Sequence, residues 1–131
     1  MVVDTSALVA LFLNEPEREA FVDLIDAATT ASLSVASRLE AVSVLCGRRI
    51  WANPIEVAGF IDALHLDVEP VSLAPMELAI DALLRFGRGR HPAALNFGDC
   101  FSYALAKARG EPLLYKGEQF ARIDIAPAWR P

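Results

Sequence analysis

The sequence predicts an α/β protein, a parallel sandwich in which about four to five short strands form a central, mainly parallel sheet and helices are abundant. Three observations carry this expectation. Val2-Val3, Leu33-Ser34-Val35 and Leu113-Leu114-Tyr115 are short strand candidates. Between them lie longer stretches whose apolar residues recur at helical spacing. At 131 residues the chain is sized for one domain, 1–131, with a core large enough to support it.

Taken in order, Val2-Val3 forms a buried strand that delivers Asp4 at its carboxyl end, where ligands bind in open α/β sheets. Thr5 or Ser6 caps the helix that follows, and Asn14-Glu15-Pro16 breaks the pattern. Glu17 to about Ala28 reads as an amphipathic helix with Phe21, Leu24 and Ile25 inward. After the strand at Leu33-Ser34-Val35, Ser37 caps a helix from Arg38 to about Ile50. Asn53-Pro54 starts another, with Val57, Phe60, Ile61 and Leu64 on one face. Asp67 to Leu73 alternates but contains Pro70, which marks an edge or late strand. A helix from Pro75 to about Phe86 closes at Gly87, and Gly87-Arg88-Gly89-Arg90-His91-Pro92 reads as a mobile basic loop. Asn96 caps a helix running to Gly110, and Leu113-Leu114-Tyr115 is the next strand. A turn, a short helical piece and a last strand at Asp124-Ile125 complete the chain.

Hydrophobic residues make up 54% of the chain, which predicts an apolar face covered by a second copy or another protein. No apolar run approaches the roughly 18 residues needed to cross a bilayer, and the amino end lacks the basic start of a signal peptide. The expectation is a cytoplasmic protein with no membrane association. Cys46 and Cys100 fall in predicted helices with no partner at metal spacing, so both read as buried free thiols.

The net charge of −5 argues at first against a nucleic-acid partner, but its distribution argues otherwise. Residues 1–84 hold 4 basic and 13 acidic side chains, whereas residues 85–131 hold 8 basic and 4 acidic ones. A local basic patch can steer a polyanion toward an acidic protein. Arg85, Arg88, Arg90, Lys107, Arg109 and Lys116 are the candidates for phosphate contact. His91 reads as a loop anchor, and His65 closes a helix.

Three acids stand in unexpected places. Counted at about 100° per residue, Glu40 lies opposite Arg38 and Arg49 and beside Val44 and Gly47, on the inward side of its helix. A carboxylate facing an apolar interior is costly unless paired, protonated or bound to a cation. Asp99 follows the cap Asn96 by three residues and can reach back to it, a purely structural role. It points away from the core face formed by Phe101, Ala104, Leu105 and Ala108. Asp4, Glu40 and Asp99 can nevertheless meet at the carboxyl edge of a parallel sheet. Packed together they would raise one another's pKa, a conflict that Mg²⁺ or Mn²⁺ would relieve. Such a centre activates water and neutralises a phosphodiester.

The segments Val3-Asp4-Thr5-Ser6-Ala7-Leu8, Glu40 in its helix, Gly89-Arg90-His91-Pro92-Ala93, Leu95-Asn96-Phe97-Gly98-Asp99-Cys100 and Leu114-Tyr115-Lys116-Gly117 with Phe120 resemble PIN-domain proteins of the VapC toxin type. The resemblance spans nearly the whole chain. It implies a PIN-domain-like α/β/α sandwich and a Mg²⁺- or Mn²⁺-dependent endoribonuclease, the toxin of a bacterial type II toxin–antitoxin pair. It also implies a homodimer, a VapB-type antitoxin that inhibits it, and contact with operator DNA only through that antitoxin. On this chain it assigns Asp4, Glu40 and Asp99 to metal binding and catalysis, and Ser6 and Asn96 to supporting or substrate-positioning roles. Arg85, Arg88, Arg90 and Lys116 are the residues expected against the RNA backbone.

The chain departs from the family where a fourth acid often precedes the Phe, because Gln119 stands there. Either Glu118 or Asp124 supplies that acid, or the site works with three, with Gln119 coordinating through its carbonyl. The departure keeps a second reading in play, a weak or inactive PIN module that binds its antitoxin and assembles on operator DNA. A phosphatase with an aspartyl nucleophile is the remaining rival. Its second Asp is replaced by Ser6.

Overall fold

Successive residues of a strand point to opposite faces of a sheet, and in this chain that rule divides the core in two. In the computed structural model, which describes residues 1–131, four parallel strands run in the order β3-β2-β1-β4. They are β1 (Val2–Val3), β2 (Ser32–Ser34), β3 (Asp67–Glu69) and β4 (Leu113–Leu114). Val2 and Leu113 face one apolar cluster, and Val3 and Leu114 face the other.

The second cluster is completed by α1 (Thr5–Phe12), α2 (Arg18–Ala27), α3 (Val35–Leu45) and α4 (Pro54–Ala63), through Leu8, Phe21, Leu45 and Ile61 among others. The first is completed by α5 (Leu73–Phe86) and α6 (Phe97–Arg109), through Ala82, Phe86, Tyr103 and Ala104. Helices therefore cover both faces, and the predicted three-layer sandwich is the observed one. β3 is one of the two edge strands, in keeping with the proline after it. No helix is long and apolar enough to cross a membrane.

Several local expectations need correction. Asp4 itself caps α1, its Oδ2 accepting from the Ser6 backbone N–H at 2.8 Å, so Thr5 lies inside the helix rather than before it. Ser34 rather than Ser37 caps α3, and the Ser37 hydroxyl is instead buried against that of Ser102 on α6, at 3.1 Å. α3 stops at Leu45, short of Ile50, in a series of turns that leaves Trp51 at φ 56°. α5 starts at Leu73, which puts Pro75 in the first turn, where its missing N–H has no partner to lose.

No strand forms at Asp124-Ile125. The Leu113 N–H donates to Ala126 and the Ala128 N–H donates to Leu113, each at 2.8 Å, so a single bridge covers the free side of β4. A 3₁₀ helix, Phe120–Arg122, precedes it. The basic loop is tied at its base, the Arg88 N–H to Leu95 and the Leu95 N–H to Phe86, with His91 packed edge-on to Phe86. His91 is the anchor its position suggested. Both cysteines are free, but only Cys100 is fully buried, and Cys46 ends α3 half-buried. Ala108, expected in the core, is exposed.

Candidate active site

The carboxyl ends of β1 and β4 open onto a cleft of about 330 Å³ whose walls include Asp4, Glu40 and Asp99. Each acid arrives from a different element: the end of β1, the middle of α3 and the first turn of α6. Thr5, Ser6, Glu15, Asn96, Lys116 and Gln119 line the same space.

Asp4 is 1% exposed. The neighbouring strand fixes its backbone, the Asp4 N–H donating to Leu114 at 2.9 Å. One carboxylate oxygen, Oδ2, accepts from the backbone and hydroxyl of Ser6, at 2.8 and 2.6 Å. The Ser6 hydroxyl also accepts from the Lys116 N–H at 3.0 Å, which locks α1 to the segment after β4. The other oxygen, Oδ1, is buried with no partner. Capping accounts for only half of this carboxylate. An unpaired buried carboxylate oxygen is costly unless something charged or polar meets it.

Glu40 is half-buried, and the Thr5 hydroxyl donates to its Oε2 at 2.7 Å. Burial pushes its pKa up, the Thr5 bond opposes that, and Asp4 adds to the rise. The residue lies on the cleft side of α3 rather than toward the apolar interior. Ser37, Ala41 and Leu45 form the buried stripe, while Val44 beside Glu40 is exposed. Its carboxylate packs against Gly98, where any side chain would collide with it.

Asp99 and Asn96 form the reciprocal cap that their spacing announced, with both hydrogen bonds at 2.8 Å. The carboxyl is nevertheless pushed up to about 7, first by burial and then by Asp4 and Glu40, against the Asn96 N–H and Arg88, which lower it. The three acids therefore feel one another's charge, and each is also held by a local hydrogen bond. No three acidic, histidine or cysteine side chains close on one point as a preformed metal cage. The donors are all oxygen, mutually repelling, with one buried oxygen unmatched. That set fits a hard divalent ion that keeps several of its waters.

The remaining predicted residues divide. Ser6, Asn96, Gln119 and Lys116 belong to the cleft, whereas Glu118 lines a neighbouring cavity. Asp124 lies outside the cleft. It accepts from the Tyr103 hydroxyl at 2.9 Å and pairs with Lys107 at 3.0 Å, tying α6 to the tail. Arg85 is likewise engaged with Asp81 at 2.9 Å and lies over the Phe86 ring, outside the cleft. Arg88 and Arg90 are exposed on the basic loop. Lys107 and Arg109 are held in ion pairs.

Three contributors escaped the sequence reading. Glu15, taken only as part of a helix break, is a fourth carboxylate in the cleft and binds Lys116 at 2.6 Å. Thr5 holds Glu40, and Gly98 makes room for it; a glycine in the first turn of a helix, where it weakens the helix, was the available signal.

Comparison with known proteins places these features in context. The PIN domain family model matches residues 1–126. Over all 131 residues the chain is 41% identical to Ribonuclease VapC30 of Mycobacterium tuberculosis, with both chains covered completely. It is 43% identical to Ribonuclease VapC28 of the same organism, covering 98% of this chain and 97% of that one. Ribonuclease VapC of Mycolicibacterium smegmatis is 40% identical, with 96% and 98% covered. Among solved structures, the Sarcin-Ricin loop cleaving toxin VapC20 of M. tuberculosis superposes with a TM-score of 0.72 at 21% identity, covering 99% and 98% of the two chains. A toxin-antitoxin complex from Klebsiella pneumoniae gives 0.70 at 16% identity, with the same coverage.

Proposed function

The chain belongs to the PIN-domain family, among its VapC ribonucleases, and from that premise we propose that it hydrolyses RNA phosphodiesters in the acidic cleft as the toxin of a type II toxin–antitoxin pair. The observation that carries this reading is the convergence of Asp4, Glu40 and Asp99 on one cleft, with Asp4 Oδ1 buried and unpartnered. The three carboxylates would hold Mg²⁺ or Mn²⁺, which when bound supplies charge neutralisation for the phosphate and a more acidic water.

The chain's own residues do the rest. Ser6 fixes the orientation of Asp4, and Thr5 fixes that of Glu40. Asp99 is set by the cap of α6, so the first turn of that helix doubles as a wall of the site. Arg88 and Arg90 supply positive charge for the RNA backbone beside an otherwise acidic cleft. Lys116 lies in the cleft but is drawn toward Glu15 and Glu17, at 2.6 and 3.0 Å. Phosphate contact by Lys116 competes with those two acids.

The partner reading rests on the apolar excess, much of which is outside. Leu39, Trp51, Ile55, Leu73 and Phe97 are all exposed. Pairing with a second copy and with a VapB-type antitoxin would cover such surface, and operator DNA would be reached only through the antitoxin. Catalysis is preferred over an inactive binding module because three carboxylates held at a cost in one cleft have no use in a purely scaffolding protein.

The test is cleavage of RNA with Mg²⁺ or Mn²⁺, its loss on chelation and its recovery on adding the ion back, with Asp4→Asn as the control. Activity persisting in Asp4→Asn would place the chemistry elsewhere. A phosphoryl group trapped on Asp4 would favour the phosphatase reading instead. Co-purification with the product of the adjacent upstream reading frame tests the antitoxin, and sedimentation of the purified chain tests the homodimer.

A further inference from the structure

Beside the acidic cleft lies a larger cavity, about 740 Å³, that the reaction proposed above does not use. Lys116 is common to the walls of both. Two aromatic rings face the larger space and are steadied from behind. Tyr115 packs against Phe120, a residue of the acidic cleft, with ring centroids 5.1 Å apart. Trp129 meets Phe21 of α2 edge-on at 5.3 Å. Ile125 adds an apolar wall, and Arg130 brings a positive charge. Tyr115 and Arg130 line this cavity together with the acids Glu17 and Glu118; burial raises the pKa of the Tyr115 hydroxyl, Arg130 lowers it and Glu118 adds to the rise.

Flat aromatic faces beside a guanidinium are the means by which proteins hold unpaired bases. A bare phosphate would need more free positive charge than this cavity offers, since Lys116 is paired with Glu15 and Glu17. Resting on the ribonuclease reading of the neighbouring cleft, we propose that the cavity is a nucleobase subsite. It takes one unpaired base of the RNA, on the strand whose phosphate enters the acidic cleft, between Tyr115, Trp129 and Arg130. The cavity thereby sets a base preference at one position away from the cut.

The experiment measures binding separately from cleavage. The full chain carrying Trp51→Phe, which removes the exposed tryptophan, leaves Trp129 as the sole reporter. Single-stranded RNA oligonucleotides of increasing length are titrated in with EDTA present, which withholds the divalent ion that the proposed cleavage needs. At the length that first reaches the cavity, affinity should rise roughly tenfold and Trp129 emission should be quenched. Arg130→Ala, at an exposed position, and Tyr115→Leu should each reduce that step to under about threefold; Arg130→Ala decides the matter if Tyr115→Leu fails to fold.

A smooth length dependence with no quenching, in a chain that cleaves RNA, overturns the subsite and leaves the nuclease reading intact. A clear step in a chain that cleaves no RNA supports the subsite and overturns the nuclease reading. Quenching by a carboxyl-terminal antitoxin peptide but by no oligonucleotide assigns the cavity to protein and overturns the proposal.

Discussion

The carboxylate of Glu40 lies directly on the backbone of Gly98, so that α3 and the first turn of α6 meet through an acidic side chain that lines the cleft. A Cβ at position 98 would overlap both carboxylate oxygens. Because those oxygens end a flexible side chain, Gly98→Ala should be accommodated by Glu40 swinging out of place rather than by unfolding. Alanine is also the better helix former, by about 1 kcal/mol. The expected outcome is a melting temperature unchanged or slightly raised, with cleavage reduced by roughly tenfold or more. Paired thermal melts and cleavage rates check this, and full activity would show that Glu40 is not needed where it sits.

Thr5 offers a more conservative probe of the same residue. Its hydroxyl donates to Glu40 at 2.7 Å and lies 3.3 Å from the Ser37 carbonyl. Burial already raises the Glu40 pKa, and the Thr5 bond is what opposes it. Thr5→Val keeps the shape and removes that opposition. The acidic limb of the pH–rate profile should move to higher pH, with a loss of about tenfold at its old midpoint, and Thr5→Ser should restore it. A profile that falls uniformly without moving would make Thr5 a packing residue only.

Asp99 predicts how stability depends on pH in the metal-free protein. Its folded pKa of about 7 lies above the ordinary 3.8, so the folded state holds this proton more tightly than the unfolded chain does. The favourable contribution is complete below the unfolded pKa and is lost as pH rises through about 7. Asp99→Asn keeps an oxygen for the Asn96 N–H but carries no charge. Above neutrality without metal it should be more stable than the parent by about 1–3 kcal/mol, while cleavage falls at least a hundredfold or so. Melts across pH with and without Mn²⁺ check it; a variant less stable at pH 8 would mean that capping outweighs the cost of burying the charge and the repulsion from Asp4 and Glu40.

The architecture was legible because its signals are local. Val2-Val3 ahead of α1 and Leu113-Leu114 after α6 are short apolar pairs, and a parallel strand buried on both faces requires that pattern. The reciprocal cap of Asn96 and Asp99 is likewise written in a three-residue spacing. Glu40 was found for a partly mistaken reason. Its helical face looked inward because Val44 shares it, yet that face borders a polar cleft and Val44 is exposed. Glu15 and Asp124 show where the reading failed. Both depend on contacts across long separations, Glu15 with Lys116 and Asp124 with Tyr103, and hydrophobic periodicity carries no information about such pairs.

The missing fourth acid can be put to the test at Gln119, which lines the cleft without a charge. Glu15, the additional carboxylate there, is held by Lys116 and so is partly neutralised. Gln119→Glu should add a further negative charge to the cleft, tightening Mn²⁺ binding by about three- to tenfold. Asp124→Asn is the contrasting variant. It should leave metal binding unaltered but lower the melting temperature by a few degrees, because it weakens the link between the tail and Tyr103 and Lys107 on α6. Calorimetric titration of Mn²⁺ into both proteins separates the two positions. Weaker metal binding in Asp124→Asn, with no change in Gln119→Glu, would mean that the tail moves and brings Asp124 into the cleft.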